Sequence, residues 1–194
     1  KAIFIFKILP YLFISSMGES HESEPEVILP PRSPVLPLHT PLLVDLIDDD
    51  DADRGCVRRA LRRFQREKLL PQVNIQEVDL ASSLGCWAPV AQLVDRVRDE
   101  VGVVIVDLNC NGGFSGEGPQ VVRQSCARRP HLAIALLSDR FRTDASESEI
   151  TLGVRMQMAP LRVPCISKDE LTKQLRAWFQ GLIALGQASQ EEEA

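Results

Sequence analysis

Five polar positions in this chain fall where side chains could act together. Asp48 and Asp49 open an aspartate run at 48–51, Asp107 closes the β-branched stretch Val103 to Val106, Ser138 closes Leu132 to Leu137, and Lys168 follows Leu161 to Ile166. Carboxylates gathered in one place repel unless a cation joins them. A hard divalent ion with oxygen ligands, most simply Mg²⁺, is the natural partner. A lysine and a hydroxyl opposite that ion would complete a pocket for a phosphoryl group, working by positioning and charge neutralisation.

For that chemistry the positions must sit at the ends of neighbouring strands. Leu42 to Ile47 reads as a buried strand interrupted by Asp45, and Val57, Ala60, Leu61 and Phe64 follow at helical spacing. Val73 to Val78 reads as a second strand, and Val90, Leu93, Val94, Val97 and Val101 as an amphipathic helix. Val103 to Val106 is the third strand. Pro119 suits the first turn of a helix carrying Val121, Val122, Ser125 and Cys126. Leu132 to Leu137 and Leu161 to Ile166 are the fourth and fifth strands, with a short helix within 139–158. Ser167 is the expected N-cap of a last helix bearing Leu171, Leu175, Trp178, Phe179 and Leu182.

Strands alternating with helices five times predict an α/β fold, a doubly wound five-stranded parallel sheet of (βα)₅ type. In the flavodoxin-like strand order 2-1-3-4-5 the first and third strands are neighbours, so Asp48, Asp49 and Asp107 would converge. Sites in such sheets lie beyond the carboxyl ends of the strands, near the switch in strand order.

The local sequences resemble the response-regulator receiver (CheY-like) family. Ile-Asp-Asp-Asp-Asp-Ala-Asp-Arg at 47–54 is similar to the V-D-D-D-x-x-D-R opening of many receivers. Val-Asp-Leu-Asn at 106–109, with Ser115 and Gly116 in the loop that follows, is similar to the family's phosphorylation segment. Leu-Leu-Ser at 136–138 resembles its fourth strand and Ile-Ser-Lys-Asp at 166–169 its lysine motif.

The resemblance implies that Asp107 accepts a phosphoryl group from a histidine kinase or phosphotransfer protein. It implies that Asp48, Asp49, Asp107 and the Asn109 carbonyl hold Mg²⁺, that Ser138 hydrogen-bonds the phosphoryl oxygens, and that Lys168 neutralises one of them. It further implies two-component phosphorelay signalling in the cytoplasm, a downstream protein partner and a possible homodimer. Enzymatic activity would be at most self-phosphorylation and dephosphorylation on Asp107. Three positions depart from the family: Cys165 stands where it has an aromatic residue, Asp139 follows Ser138 where it has a small one, and Asp169 follows Lys168 where it has proline. A degenerate pseudo-receiver, acting as a phosphorylation-independent interaction module, is the alternative these departures raise.

Composition narrows the remaining classes. Hydrophobic residues at 44% suffice for a core, and 25% charged residues are those of an ordinary globular domain. The net charge of −5 argues against nucleic acid as a partner, and the arginines at 58, 59, 62, 63 and 66 read as a solvated helix face. Five cysteines without a C-x-x-C pair suggest neither a disulfide framework nor a zinc site. His21, His39 and His131 are isolated, and no G-x-S-x-G, Walker A or G-x-G-x-x-G motif is present.

Residues 1–40 read as an apolar leader followed by a proline-rich flexible tail. The leader is interrupted by Pro10 and too short for a comfortable membrane span. Met17 is the expected natural start, with an export signal as the other reading. Residues 41–186 form the expected receiver-like domain, and 187–194 an acidic tail too short to be a DNA-binding output module.

Overall fold

The structure is a computed structural model that describes Leu36 and residues 41–81, 88–110, 117–141 and 148–192. Most of the leader and proline-rich segment, Cys86, the loop with Ser115 and Gly116, and residues 193–194 lie outside the described residues. The elements alternate as β1 (Leu42–Ile47), α1 (Asp51–Arg66), β2 (Val73–Glu77), α2 (Val90–Arg96), β3 (Val103–Asp107), α3 (Glu117–Arg128), β4 (Ala133–Ser138), α4 (Glu149–Met158), β5 (Cys165–Ser167) and α5 (Leu171–Glu192). The five strands form one sheet in the order β2-β1-β3-β4-β5, and every pairing is parallel. This is the expected doubly wound (βα)₅ sheet in the order 2-1-3-4-5.

Alternation along β3 divides the core. Val104 and Val106 pack with Leu93, Val94, Val121, Val122 and Met158 under α2, α3 and α4. Val103 and Ile105 pack with Leu61, Phe64, Leu175 and Phe179 under α1 and α5. Both faces of β3 and β4 are buried, which is why these strands read as unbroken apolar runs rather than alternating ones.

The turn into α1 is specified by its own aspartates. Asp50 caps the helix, its Oδ1 accepting from the N–H groups of Ala52 (2.7 Å) and Asp53 (3.2 Å). Such a cap contributes about 1 kcal/mol. At the other end Lys68 takes a left-handed conformation (φ 59°), its N–H returning to the Gln65 carbonyl. Phe64 meets Phe179 edge to face at 6.2 Å. Arg176 lies over the Phe64 ring and pairs with Glu67, so α1 and α5 are joined by apolar and ionic contacts together.

Four local expectations need correction. The last strand is three residues long rather than six. Leu161 belongs to a 3-10 turn at Ala159–Leu161, Arg162 is left-handed (φ 53°), and Pro164 has no N–H to give a ladder. Ser167 ends β5 instead of capping α5, and its N–H donates to Gln174 Oε1. The second helix stops at Arg96 because Val97 turns extended (φ −66°, ψ 125°), yet Val97 and Val101 stay buried. Leu36, expected in an unpacked tail, is buried against the β1, α1 and α5 side of the core. In addition, α5 runs to Glu192, past the expected boundary at 186.

Asp45, the polar interruption of β1, is fully buried. It accepts from the backbone N–H of Arg98 (2.8 Å) and from Arg98 Nε (2.6 Å), and Arg98 Nη2 also reaches the Val44 carbonyl. The pair ties the start of the sheet to the turn before β3.

Candidate functional site

Three parallel strands deliver the polar residues to one edge of the sheet. β1 runs out at Ile47 into Asp48, which is buried at 1% exposure. Its Oδ1 accepts the Asp50 N–H at 2.8 Å, holding the turn that starts α1. Its main-chain carbonyl accepts from Arg54 Nη1. β3 ends on Asp107, whose Oδ2 accepts the Asn109 N–H at 2.7 Å. β5 ends one residue before Lys168, and the Lys168 N–H donates to the Ser138 carbonyl at 3.0 Å, fixing the lysine to the end of β4.

The Lys168 ammonium is the hub. Its Nζ lies 2.7 Å from Asp107 Oδ1, 2.5 Å from Asp53 Oδ2 and 3.3 Å from Asp48 Oδ2. Asp49, Asp107, Asn109, Ser138, Asp139 and Lys168 all line one open cavity of about 570 Å³. Asp48 sits behind this cavity and touches it through Lys168. Ser138 reaches the cavity wall, but its hydroxyl is engaged elsewhere: it donates to Asp139 Oδ1 at 3.3 Å and accepts the Arg140 N–H at 3.1 Å. Cys165 is half-buried, and its carbonyl accepts from Arg155 of α4. That arginine also lies over the ring of buried Phe141, 5.0 Å from its centroid.

Asp53 was not among the expected site residues. It stands in the quoted 47–54 motif, but nothing local links it to a lysine 115 positions away. Only the sheet, which places the first turn of α1 beside the end of β5, makes the contact.

Burial and charge pull these groups in opposite directions. Burial raises the Asp48 pKa to about 6, with Lys168 opposing and Asp107 adding to the rise. Burial also raises Asp107, against the pull of Lys168 and the Asn109 N–H. Burial works against the Lys168 ammonium, but Asp107, Asp53 and Asp48 outweigh it and hold its pKa above that of an ordinary lysine. Nearby Cys110 is buried, and its thiol is pushed up to about 12, which leaves it protonated and unreactive.

A testable consequence follows for Asp48. Its folded pKa lies above its reference value of 3.8, so between the two the folded state holds the proton more tightly. The contribution is therefore most favourable below about pH 4 and is lost as pH rises through about 6. By linkage the loss has an upper bound of about 3 kcal/mol. The stability difference between Asp48→Asn and wild type is expected to grow by about 2 kcal/mol in the variant's favour between pH 4 and pH 7. Urea unfolding at a series of pH values measures it, and parallel curves for the two proteins would refute it.

The donor set suits a hard cation. Asp48, Asp49, Asp107 and the Asn109 carbonyl offer only oxygen. Asp48 Oδ2 is buried without a hydrogen bond, having just its 3.3 Å ionic contact to Lys168. Among the described residues no three His, Cys, Asp or Glu side chains are gathered tightly enough to form a metal cage as they stand. Mg²⁺ does not need one, because it keeps several waters and takes one or two carboxylates.

No family model matches the chain, and no curated protein matches it. Solved structures do. RcsB from Salmonella enterica serovar Typhimurium, bound to promoter rprA in the presence of phosphomimetic BeF₃⁻, is 17% identical with a TM-score of 0.50 over 73% of this chain and 67% of that one. The isolated REC domain of RcsB from the same organism, also with BeF₃⁻, is 16% identical with a TM-score of 0.48 over 75% and 97% of the two chains. The RcsB response regulator of Salmonella typhimurium is 16% identical with a TM-score of 0.49 over 69% of this chain, which spans 57% of its length. At such identities the likeness is one of fold. No helix among the described residues is long and apolar enough to cross a membrane.

Proposed function

Taking a response-regulator receiver-like fold as the premise, we propose that the chain is a phosphoacceptor domain of two-component-type signalling, with Asp107 as the accepting residue. The observation that carries this is the Lys168 ammonium, 2.7 Å from the carboxylate that ends β3, in a cavity shared with Asp49, Asn109 and Ser138. An Asp107 oxygen attacks the phosphorus of a phosphohistidine on a kinase or phosphotransfer protein. The N–P bond breaks, and its electron pair leaves with the imidazole. Lys168 favours the ionised form of Asp107 against its burial before the attack, then neutralises one phosphoryl oxygen. The Ser138 hydroxyl turns from Asp139 to a second oxygen. A Mg²⁺ ion held by Asp49 and Asp107, with Asp48 behind them and the Asn109 carbonyl beside them, would offset the charge on the transferring group.

In this reading the domain assists its own phosphorylation and hydrolysis in the cytoplasm and passes the signal to a downstream protein. A specific observation favours a second reading. Asp139 lines the cavity where the phosphoryl group would enter, and Asp53 competes for Lys168. Both carboxylates repel a dianion, as in a pseudo-receiver that binds partners without phosphorylation.

Incubation with Mg²⁺ and acetyl phosphate separates the two. The phosphoacceptor reading expects wild type to gain the mass of one phosphoryl group, and Asp107→Asn to gain none. It also expects wild type to bind beryllofluoride. A wild-type mass that stays unchanged at saturating donor, with no beryllofluoride binding, would leave only the pseudo-receiver.

A further inference from the structure

One face of α1 carries a row of cations. Arg59, Arg62, Arg63 and Arg66 are all exposed and share that face at helical spacing. The row spans about 10 Å by the rise of the helix. Arg59 with Arg63, and Arg62 with Arg66, are like charges one turn apart, a spacing that works against the helix. Glu67 relieves Arg63. Arg59, whose Nη2 meets Cys56 Sγ at 3.0 Å, has no carboxylate partner among the described residues, and neither have Arg62 and Arg66.

The row lines a groove. The first turn of α5, at Leu171, Thr172 and Lys173, lines its other side, and the space between is about 1110 Å³. Buried Ala60 and Leu171 contribute apolar lining. In all, six cations and two carboxylates line the groove, on a chain of net charge −5. Lys168 is committed to Asp48, Asp53 and Asp107. Glu170 is engaged by Lys173 and Gln174. The positive charge left without a counter-ion is therefore that of α1, and the N-terminal end of α5 adds its partial positive charge.

We propose that this groove binds a small molecule carrying a chain of phosphates, a nucleoside triphosphate or an inorganic oligophosphate. Such a chain sets its charges in line, as the arginines are, and each planar guanidinium can take two of its oxygens at once. A single phosphate satisfies only part of the row. A long polyanion fits less well, because beyond the groove it meets a domain of net charge −5. A single nucleic-acid strand also finds no stacking surface, since no aromatic side chain among the described residues lines the groove. The groove and the phosphoacceptor cavity share Lys168 and Asp169, but Asp107, Asn109 and Ser138 line only the cavity. Binding in the groove does not require a phosphorylated Asp107.

Isothermal titration of the full chain with inorganic triphosphate and with ATP, in buffer free of divalent ions, tests this. Each should bind once per chain and weaken about tenfold or more between about 50 mM and about 500 mM salt. Inorganic phosphate should bind about tenfold or more weaker than triphosphate. Saturating triphosphate should raise the melting temperature. Tighter binding of ATP would assign the nucleotide, and equal binding the phosphate chain alone. Arg59→Gln with Arg62→Gln removes two exposed charges that hold no carboxylate. This variant should melt within about 3 °C of wild type and lose about tenfold or more in affinity. Arg123→Gln with Arg128→Gln on α3 removes the same charge outside the groove and should bind within about twofold of wild type. Wild type that binds neither compound at about 10 mM would overturn the proposal. So would inorganic phosphate binding as well as triphosphate, or an α3 variant that loses as much as the α1 variant. A DNA duplex or a glutamate peptide that binds more tightly than triphosphate at equal charge would overturn it too.

Discussion

Gly118→Ala is expected to unfold about 8 °C below wild type and, if Asp107 accepts a phosphoryl group as proposed, to lose the bulk of that reaction's rate. Gly118 is the second residue of α3 and presses against the strand end that carries Asp107. Its N–H donates to the Leu108 carbonyl at 3.1 Å. A Cβ there would stand 2.8 Å from the Leu108 carbonyl oxygen and 2.9 Å from the Leu108 Cα, and closer still to the Asp107 carbonyl oxygen. All three are backbone atoms, so no side-chain rotation relieves the clash. Either α3 or the end of β3 must move. Overpacking costs about 1–3 kcal/mol, and a backbone clash belongs at the upper end. A displacement of about 1 Å at a reacting group can cost about a hundredfold in rate. Gly153→Ala on α4 is the control, since a Cβ there meets nothing within 4 Å, and it should be neutral or stabilising by up to about 1 kcal/mol. Thermal melts and the acetyl phosphate reaction measure both. Gly118→Ala melting with wild type would refute the packing argument. Normal melting with lost phosphorylation would place the effect on Asp107 alone.

Asp45→Ala should be about as damaging, for an electrostatic reason. Removing one partner of a buried pair costs about 3–5 kcal/mol, because the other charge is left without its counterion. Here the lower end applies, since Arg98 is 21% exposed and can find water. The Arg98 backbone N–H loses its acceptor as well. Replacing both groups, as in Asp45→Val with Arg98→Met, should recover a large part of the loss, because no charge is then stranded. Urea titrations of the two single variants and the double variant give the coupling energy directly. If the losses of the single variants simply add in the double variant, the pair is not coupled and the argument fails.

What could be read before folding depended on distance along the chain. The limits of β1, Leu42–Ile47, were legible because the apolar run meets four aspartates. β3 was legible because Val103 to Val106 is β-branched and ends in Asp107. The strand-end placement of Asp107 followed from the limit of β3, and that of Ser138 and Lys168 from the apolar runs that precede them. The partners of these groups did not. Asp53 finds Lys168, and Asp45 finds Arg98, only once distant segments are packed together. The shortness of β5 was hidden because Leu161 and Val163 are apolar for a different purpose. They fill the core from a turn, and an apolar run does not distinguish the two. Val97 and Val101 misled in the same way at the end of α2. Ser138 was identified as a residue, but its hydroxyl's engagement with Asp139 depends on a rotamer that no spacing encodes.

The sheet order carries a consequence for how the chain is made. Val44 of β1 lies beside Ile75 on one side and Val103 on the other, about 30 and about 60 positions later. A strand that emerges early therefore waits, apolar and unpaired, for its second neighbour to be synthesised. Contacts of this range close slowly, on timescales of milliseconds or longer, after the loop entropy has been overcome. During synthesis at about 5–20 residues per second, β1 and β2 are out for several seconds before β3 exists. During that interval the charge of Asp45 in the sequence Leu-Leu-Val-Asp-Leu-Ile, buried in the finished sheet, works against pairing with a neighbouring chain.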